Sequence, residues 1–146
     1  MSDDNAPIMA RTKAGEISLD QMAEMMPGMA RLMVEISDRW WILYYAAKGG
    51  NWILARHEFG ELRKTMQMAG VIRPKYAESL TGYIAEKLKP VEGAMRAKDF
   101  AAFETAFREA TDAANEMHVE FGYDCIEWRL PDAPPQHLRL TEGTAP

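Results

Sequence analysis

The stretch FAAFETAFREATDAANEMHVEF, residues 100–121, carries the most regular pattern in the chain. Phe100, Phe103, Phe107, Ala110, Ala114, Met117 and Phe121 recur at steps of three and four, which places them on one stripe of an α-helix. Asp99 stands where a helix is capped and Gly122 where one stops. An apolar stripe of this kind has to be buried against partners, and the rest of the chain offers three. The stripe Met29, Met33, Ile36, Trp40, Leu43, Ala47 predicts a helix with Pro27 in its first turn and Gly49-Gly50 at its end. Asn51 caps the next, with Trp52, Ala55, Phe59, Leu62 and Met66 inward and Gly70 and Pro74 closing it. The third runs from about Lys75 to Lys98 through Tyr76, Leu80, Tyr83, Ile84, Leu88, Val91 and Met95. Pro90 should kink it, because the ring removes one internal hydrogen bond.

Short connections make sequential helices antiparallel, so the expected fold is all-α, an up-down-up-down antiparallel four-helix bundle with an extended C-terminal tail. No segment alternates long enough to suggest a sheet. Ser18 is a candidate cap for a short amphipathic stretch ahead of Pro27. The organisation read from the pattern is a flexible N-terminal segment (1–17), the bundle (18–122), and a tail (123–146) packed along it through Ile126 and Trp128.

At 146 residues the chain is one domain's worth of core, and its net charge is -5. Lys and Arg are scattered, so no nucleic-acid partner is expected. The single cysteine, Cys125, excludes an intramolecular disulfide and a thiolate zinc cage, and its apolar neighbours suggest an inert thiol. The first 17 residues begin acidic and lack the apolar core of a secretory signal, and the run Trp40–Ala47 is too short to span a bilayer. A cytoplasmic protein without a membrane partner is the expectation.

Antiparallel order gathers eight of the eleven methionines (Met22, Met25, Met26, Met29, Met33, Met66, Met68, Met117) at the end of the bundle that holds His118. Trp40, Trp41, Tyr44, Tyr45 and Trp52 gather at the other. Methionine is flexible and polarizable, and it serves adaptable binding surfaces as well as irregular cores, the second being the commoner use. The candidate pocket is lined by Met29, Met33, Met66, Tyr76, Leu80, Ala114, Met117, His118 and Phe121, with His118 as its polar handle. His118 follows a core methionine, so it flanks the core; most histidines so placed are simply half-buried and satisfied. His57 should face outward, and His137 lies in the tail.

A di-iron site would need Glu-x-x-His on two helices, whereas Asn115 and Leu54 stand three residues before His118 and His57. Glu35, Asp38, Glu58 and Glu61 read as a solvated charged face. No phosphate loop, nucleophile elbow or paired-histidine zinc motif is present. Three functions stay open: binding of a small apolar or planar molecule, cofactor-free catalysis with His118 as acid/base near Tyr76, and a structural homodimer formed through Trp41 and Tyr45.

A histidine at the end of the last bundle helix resembles the cytochrome c′ architecture, in which that helix carries Cys-x-x-Cys-His. Here the pentad is Ala114-Asn115-Glu116-Met117-His118, with the histidine kept and both cysteines gone. The segment WILYYAAKGGNWILARHEFGEL is similar to bacterial c-type-cytochrome-like proteins with an Asn-Trp-x-Leu-Ala motif, through Asn51, Trp52, Leu54, Ala55, Glu58, Glu61 and Leu62. Arg129, Pro131 and Gln136 extend the likeness, which covers about residues 29–136. The resemblance implies a bundle that pairs as a homodimer. It also makes non-covalent haem, with His118 as the sole protein ligand, one candidate occupant beside an apolar aromatic molecule, since the pentad has no cysteine for thioether attachment.

Overall fold

The computed structural model describes residues 6–142. The chain is mostly helical, with one small two-stranded sheet. Strands β1 (Met9–Thr12) and β2 (Gly15–Ser18) form an antiparallel hairpin, and helices α1 (Leu19–Met25), α2 (Met29–Lys48) and α3 (Trp52–Ile72) follow. After a 3-10 turn at Pro74–Tyr76 come α4 (Ala77–Tyr83), a wider π-helical turn (Ile84–Leu88), α5 (Lys89–Ala97) and α6 (Phe100–Glu120).

The hairpin corrects the expectation of a flexible segment over 1–17 and of no strands; residues 1–5 lie outside the described ones. Four-residue strands are too short to stand out as alternation. Their turn is instead fixed locally, by the Thr12 hydroxyl donating to the Gly15 carbonyl at 2.9 Å and by Gly15 at φ 143°. Ser18 does cap α1: its hydroxyl accepts the Gln21 amide at 3.1 Å while Gln21 Oε1 accepts the Ser18 amide at 2.8 Å.

Pro27 does not enter α2. It precedes the N-cap Gly28, and it holds Met26 extended (ψ 146°), which separates α1 from α2. The expected single helix over 75–98 keeps one helical course but changes pitch three times. The π turn ends at Leu88, two residues before Pro90, where the missing N–H and the ring's crowding of the Glu86 carbonyl would otherwise break the ladder. Asn51 and Asp99 cap α3 and α6 through the Leu54 and Ala102 amides, at 3.1 and 3.0 Å.

Helix α2 packs on α3 and α6, α3 on α4 and α5, and α5 on α6, and these contacts bury the apolar stripes. Trp40 Nε1–H donates to Thr111 (2.9 Å) and the Tyr44 hydroxyl to Glu104 (2.6 Å), so α2 ascends as α6 descends. The Tyr83 hydroxyl donates to the Ala110 carbonyl at 2.8 Å, and Arg39 meets Glu58 at 2.9 Å. Glu58 is thereby corrected: it is buried at 6 % exposure, and Arg39 bridges it to Glu35. Its place one residue before Phe59 turns it toward α2 rather than solvent.

The described tail climbs from the His118 end to the Asn51 end. Asn115 brackets Trp128, its Oδ1 accepting the Trp128 amide (2.7 Å) and its Nδ2 donating to the Trp128 carbonyl (3.0 Å). Higher up, Trp41 Nε1–H donates to Ala133 (3.0 Å) and the Tyr45 hydroxyl to Pro131 (2.6 Å). Those two aromatics, expected to be available for pairing between copies, are half-buried under their own tail. At the top Asn51 Nδ2 donates to Arg139, and Gly49 leaves room for Leu140, whose backbone carbonyl a β-carbon at 49 would overlap. Among the described residues no helix is long and apolar enough to cross a membrane.

Candidate functional site

The buried apolar residues fall into two clusters. The larger runs from Ile36 through Phe103 to Ala114; the smaller, at the other end, holds Leu32, Ala69, Tyr76 and Leu80. Met33 and Met117 pack against both. Between the clusters lies a cavity of about 260 Å³.

All nine residues singled out from the sequence line it: Met29 and Met33 from α2, Met66 from α3, Tyr76 and Leu80 at the start of the α4 course, and Ala114, Met117, His118 and Phe121 from the end of α6. The antiparallel order brings them together, because each lies within two or three turns of the same end. Met22, Met25, Met26 and Met68, expected at this end too, are exposed and do not line the cavity. The hairpin and α1 bury none of α1's side chains, so their methionines are not delivered to the core.

Seven further residues line the cavity: Ala30, Val34, Ser37 and Tyr123, which the sequence reading did not single out, and Tyr83, Ile126 and Trp128, which it placed inward or against the bundle but not at the pocket. Ala30 and Val34 lie on the face of α2 beside its core stripe, and both are exposed at the rim. Tyr123, Ile126 and Trp128 come from the tail, where no helical period marks a face. The alternation of Ile126 and Trp128 with Glu127 and Arg129 was the available signal. Ser37 and Trp128 also line a more polar cleft between α2, α6 and the tail, so Trp128 stands as a partition between the two spaces.

His118 is held on two sides. Its Nδ1 lies 3.1 Å from the Ile126 carbonyl, and its ring meets Trp128 edge to face with centroids 5.4 Å apart. A carbonyl only accepts, so Nδ1 carries the hydrogen and Nε2 the lone pair of the neutral ring. No protein partner for Nε2 is seen among the described residues, and none of their buried side-chain nitrogens or oxygens is left unpartnered, so Nε2 keeps accessible surface.

Burial lowers the His118 pKa below its ordinary 6.5, with the Ile126 hydrogen bond opposing in part. The unfolded chain therefore takes up a proton that the folded one resists. The stabilisation is complete above about 6.5 and is lost as pH falls through the lowered value. The urea midpoint is expected to fall between about pH 7 and 5 more steeply in the wild type than in His118→Leu; equal slopes would refute this.

Other groups have settled roles. Burial pushes the Tyr83 phenol far up, and its hydroxyl is tied to Ala110. The Tyr76 and Tyr123 hydroxyls lie 3.5 Å apart, a weak contact, and Lys75 sits 4.7 Å over the Tyr76 ring. Neither tyrosine is hydrogen-bonded to His118. Cys125, expected among apolar neighbours, is exposed, as are His57 and His137. Among the described residues no group of three or more His, Cys, Asp or Glu could hold a metal ion.

Haem has three requirements here. An imidazole with Nδ1–H on a carbonyl and Nε2 available meets the first, that of an axial ligand. Space does not meet the second. A cavity of roughly 150 Å³ takes one benzene ring, so about 260 Å³ takes two fused rings, not a four-pyrrole macrocycle. The third also fails, because among the described residues no Lys or Arg lines the cavity to meet two propionates. The residues present do not fit the group. No protein-family model, curated protein sequence or solved structure matches the chain.

Proposed function

We propose that the chain is an up-down-up-down helical bundle that binds a small apolar molecule of one or two rings in the methionine-lined cavity. The observation that supports this is the gap itself. Protein interiors close over voids at a cost of a few kcal/mol when they can, yet here two core clusters stop short of each other around about 260 Å³ of mainly apolar wall. The four methionines that line it, Met29, Met33, Met66 and Met117, supply flexible walls that adapt to an occupant. The rim at Ala30, Val34, Tyr123 and Ile126 gives the way in.

Catalysis has less support. Among the described residues the lining offers one available base, His118 Nε2, but no carboxylate, lysine or thiol to act with it, and the Ser37 hydroxyl is donated to its own helix at Val34 (3.2 Å). A binding protein is the better reading.

The test is occupancy by naphthalene. Thermal melts and ligand-observed NMR are expected to show saturable binding to the wild type and at least about a tenfold loss in Met33→Trp, where the indole fills the space; tenfold is about 1.4 kcal/mol. Equal binding in the two proteins, or none in the wild type, would sink the proposal.

A further inference from the structure

Three polar side chains on the cavity wall have already committed their hydrogens to protein carbonyls. His118 Nδ1–H goes to Ile126, the Tyr83 hydroxyl to Ala110 and the Ser37 hydroxyl to Val34. What each retains is a lone pair. Of the three, His118 Nε2 is the acceptor shown to keep accessible surface with no partner among the described residues. An apolar ligand seated over it would strip its water and return nothing, which costs about 1–3 kcal/mol for a buried acceptor.

The hydrogens still uncommitted along this wall are all on uncharged groups. They are the Trp128 Nε1–H, one hydroxyl of the Tyr76–Tyr123 pair, and the first amides of α2, which Gly28 cannot cap with a side chain. Among the described residues no Lys or Arg lines the cavity, Lys75 lying outside it over the Tyr76 ring, and the chain as a whole carries -5. A ligand carboxylate placed at His118 would thus set an anion beside a lone pair, with no cation among the described lining residues to offset its lost hydration. A hydroxyl faces no such penalty, for it donates to Nε2 while its oxygen accepts from one of the uncharged donors.

We infer that the ligand is an uncharged one- or two-ring aromatic molecule bearing a hydroxyl or ring N–H, whose hydrogen is donated to His118 Nε2. This rests on the reading of the cavity as a binding site and adds the chemical class of its occupant. His118 selects the ligand by what the ligand can donate, and the methionines accept whatever ring shape carries it.

2-Naphthol, 2-methoxynaphthalene and 2-naphthoate share a two-ring body and differ at one group, so calorimetric titration of all three near neutral pH separates the possibilities. 2-Naphthol is expected to bind about three- to tenfold tighter than the methyl ether, the worth of one hydrogen bond, and 2-naphthoate weakest. His118→Leu, which keeps an apolar side chain there, should erase the preference. In the wild type the ¹⁵N shift of His118 Nε2 should move with 2-naphthol and not with the ether, which reads the contact without any variant. Equal affinities for 2-naphthol and the ether, or tighter 2-naphthoate, would overturn the donor assignment and leave an apolar site standing. No binding of any probe, naphthalene included, would overturn the site and this inference together.

Discussion

Phe103→Ala is expected to lower the unfolding free energy by about 3–5 kcal/mol, the range for emptying a fully buried aromatic position. Phe103 is 0 % exposed and central to the main cluster. Its ring lies 5.7 to 6.5 Å from those of Phe107, Phe100, Trp52 and Tyr44, which come from α6, α3 and α2. These neighbours are themselves held: Trp40 stacks on Phe107 at 4.2 Å, and the Trp40 and Tyr44 polar tips are hydrogen-bonded to α6. They have little freedom to collapse into the space, so the upper half of that range is the expectation. For a domain stable by roughly 5–15 kcal/mol the loss is large. Urea unfolding followed by far-ultraviolet circular dichroism measures it, and a loss under about 1 kcal/mol would show that the aromatic end is not the core it is described to be.

Asn115→Ala carries the second large effect, and on binding rather than on the bundle. Its amide makes both hydrogen bonds that hold the Trp128 backbone, at 2.7 and 3.0 Å, and alanine supplies neither. Two bonds at about 0.5–1.5 kcal/mol each are a large share of what keeps a segment without secondary structure in place. The tail between Tyr123 and Pro131 should spend much of its time undocked, and Tyr123, Ile126 and Trp128 then no longer wall the cavity. Apparent affinity falls with the docked fraction, so naphthalene binding is expected to weaken about tenfold or more. Trp128 and Leu130 only flank the Phe103 cluster as partly buried neighbours, so the bundle's melting should change far less. Hydrogen exchange at amides 126–133 should accelerate in step. Unchanged exchange there, with unchanged affinity, would show that the tail is held by other contacts.

These two positions also divide what could be read in advance from what could not. Phe103 announces itself, because seven apolar residues at steps of three and four have only one way to be buried together. Local chemistry likewise announced the caps at Ser18, Asn51 and Asp99, since each needs only a side chain within reach of an amide three residues on. The nine candidate residues followed from periodicity plus antiparallel order, and the structure places all nine on one cavity wall.

Asn115 announced nothing. In the pentad ending at His118 it is an unremarkable polar residue, and its role exists only because the chain reverses at Gly122 and returns along α2 and α6. The same return decides the tautomer of His118, the covering of Trp41 and Tyr45, and the wall that narrows the cavity below haem size. The burial of Glu58 against Arg39 and the hairpin at residues 9–18 belong with these. Periodicity speaks for segments that bury one face through their own repeat. A tail that docks by single hydrogen bonds has no repeat to reveal, so its partners are chosen by the shape of the finished bundle.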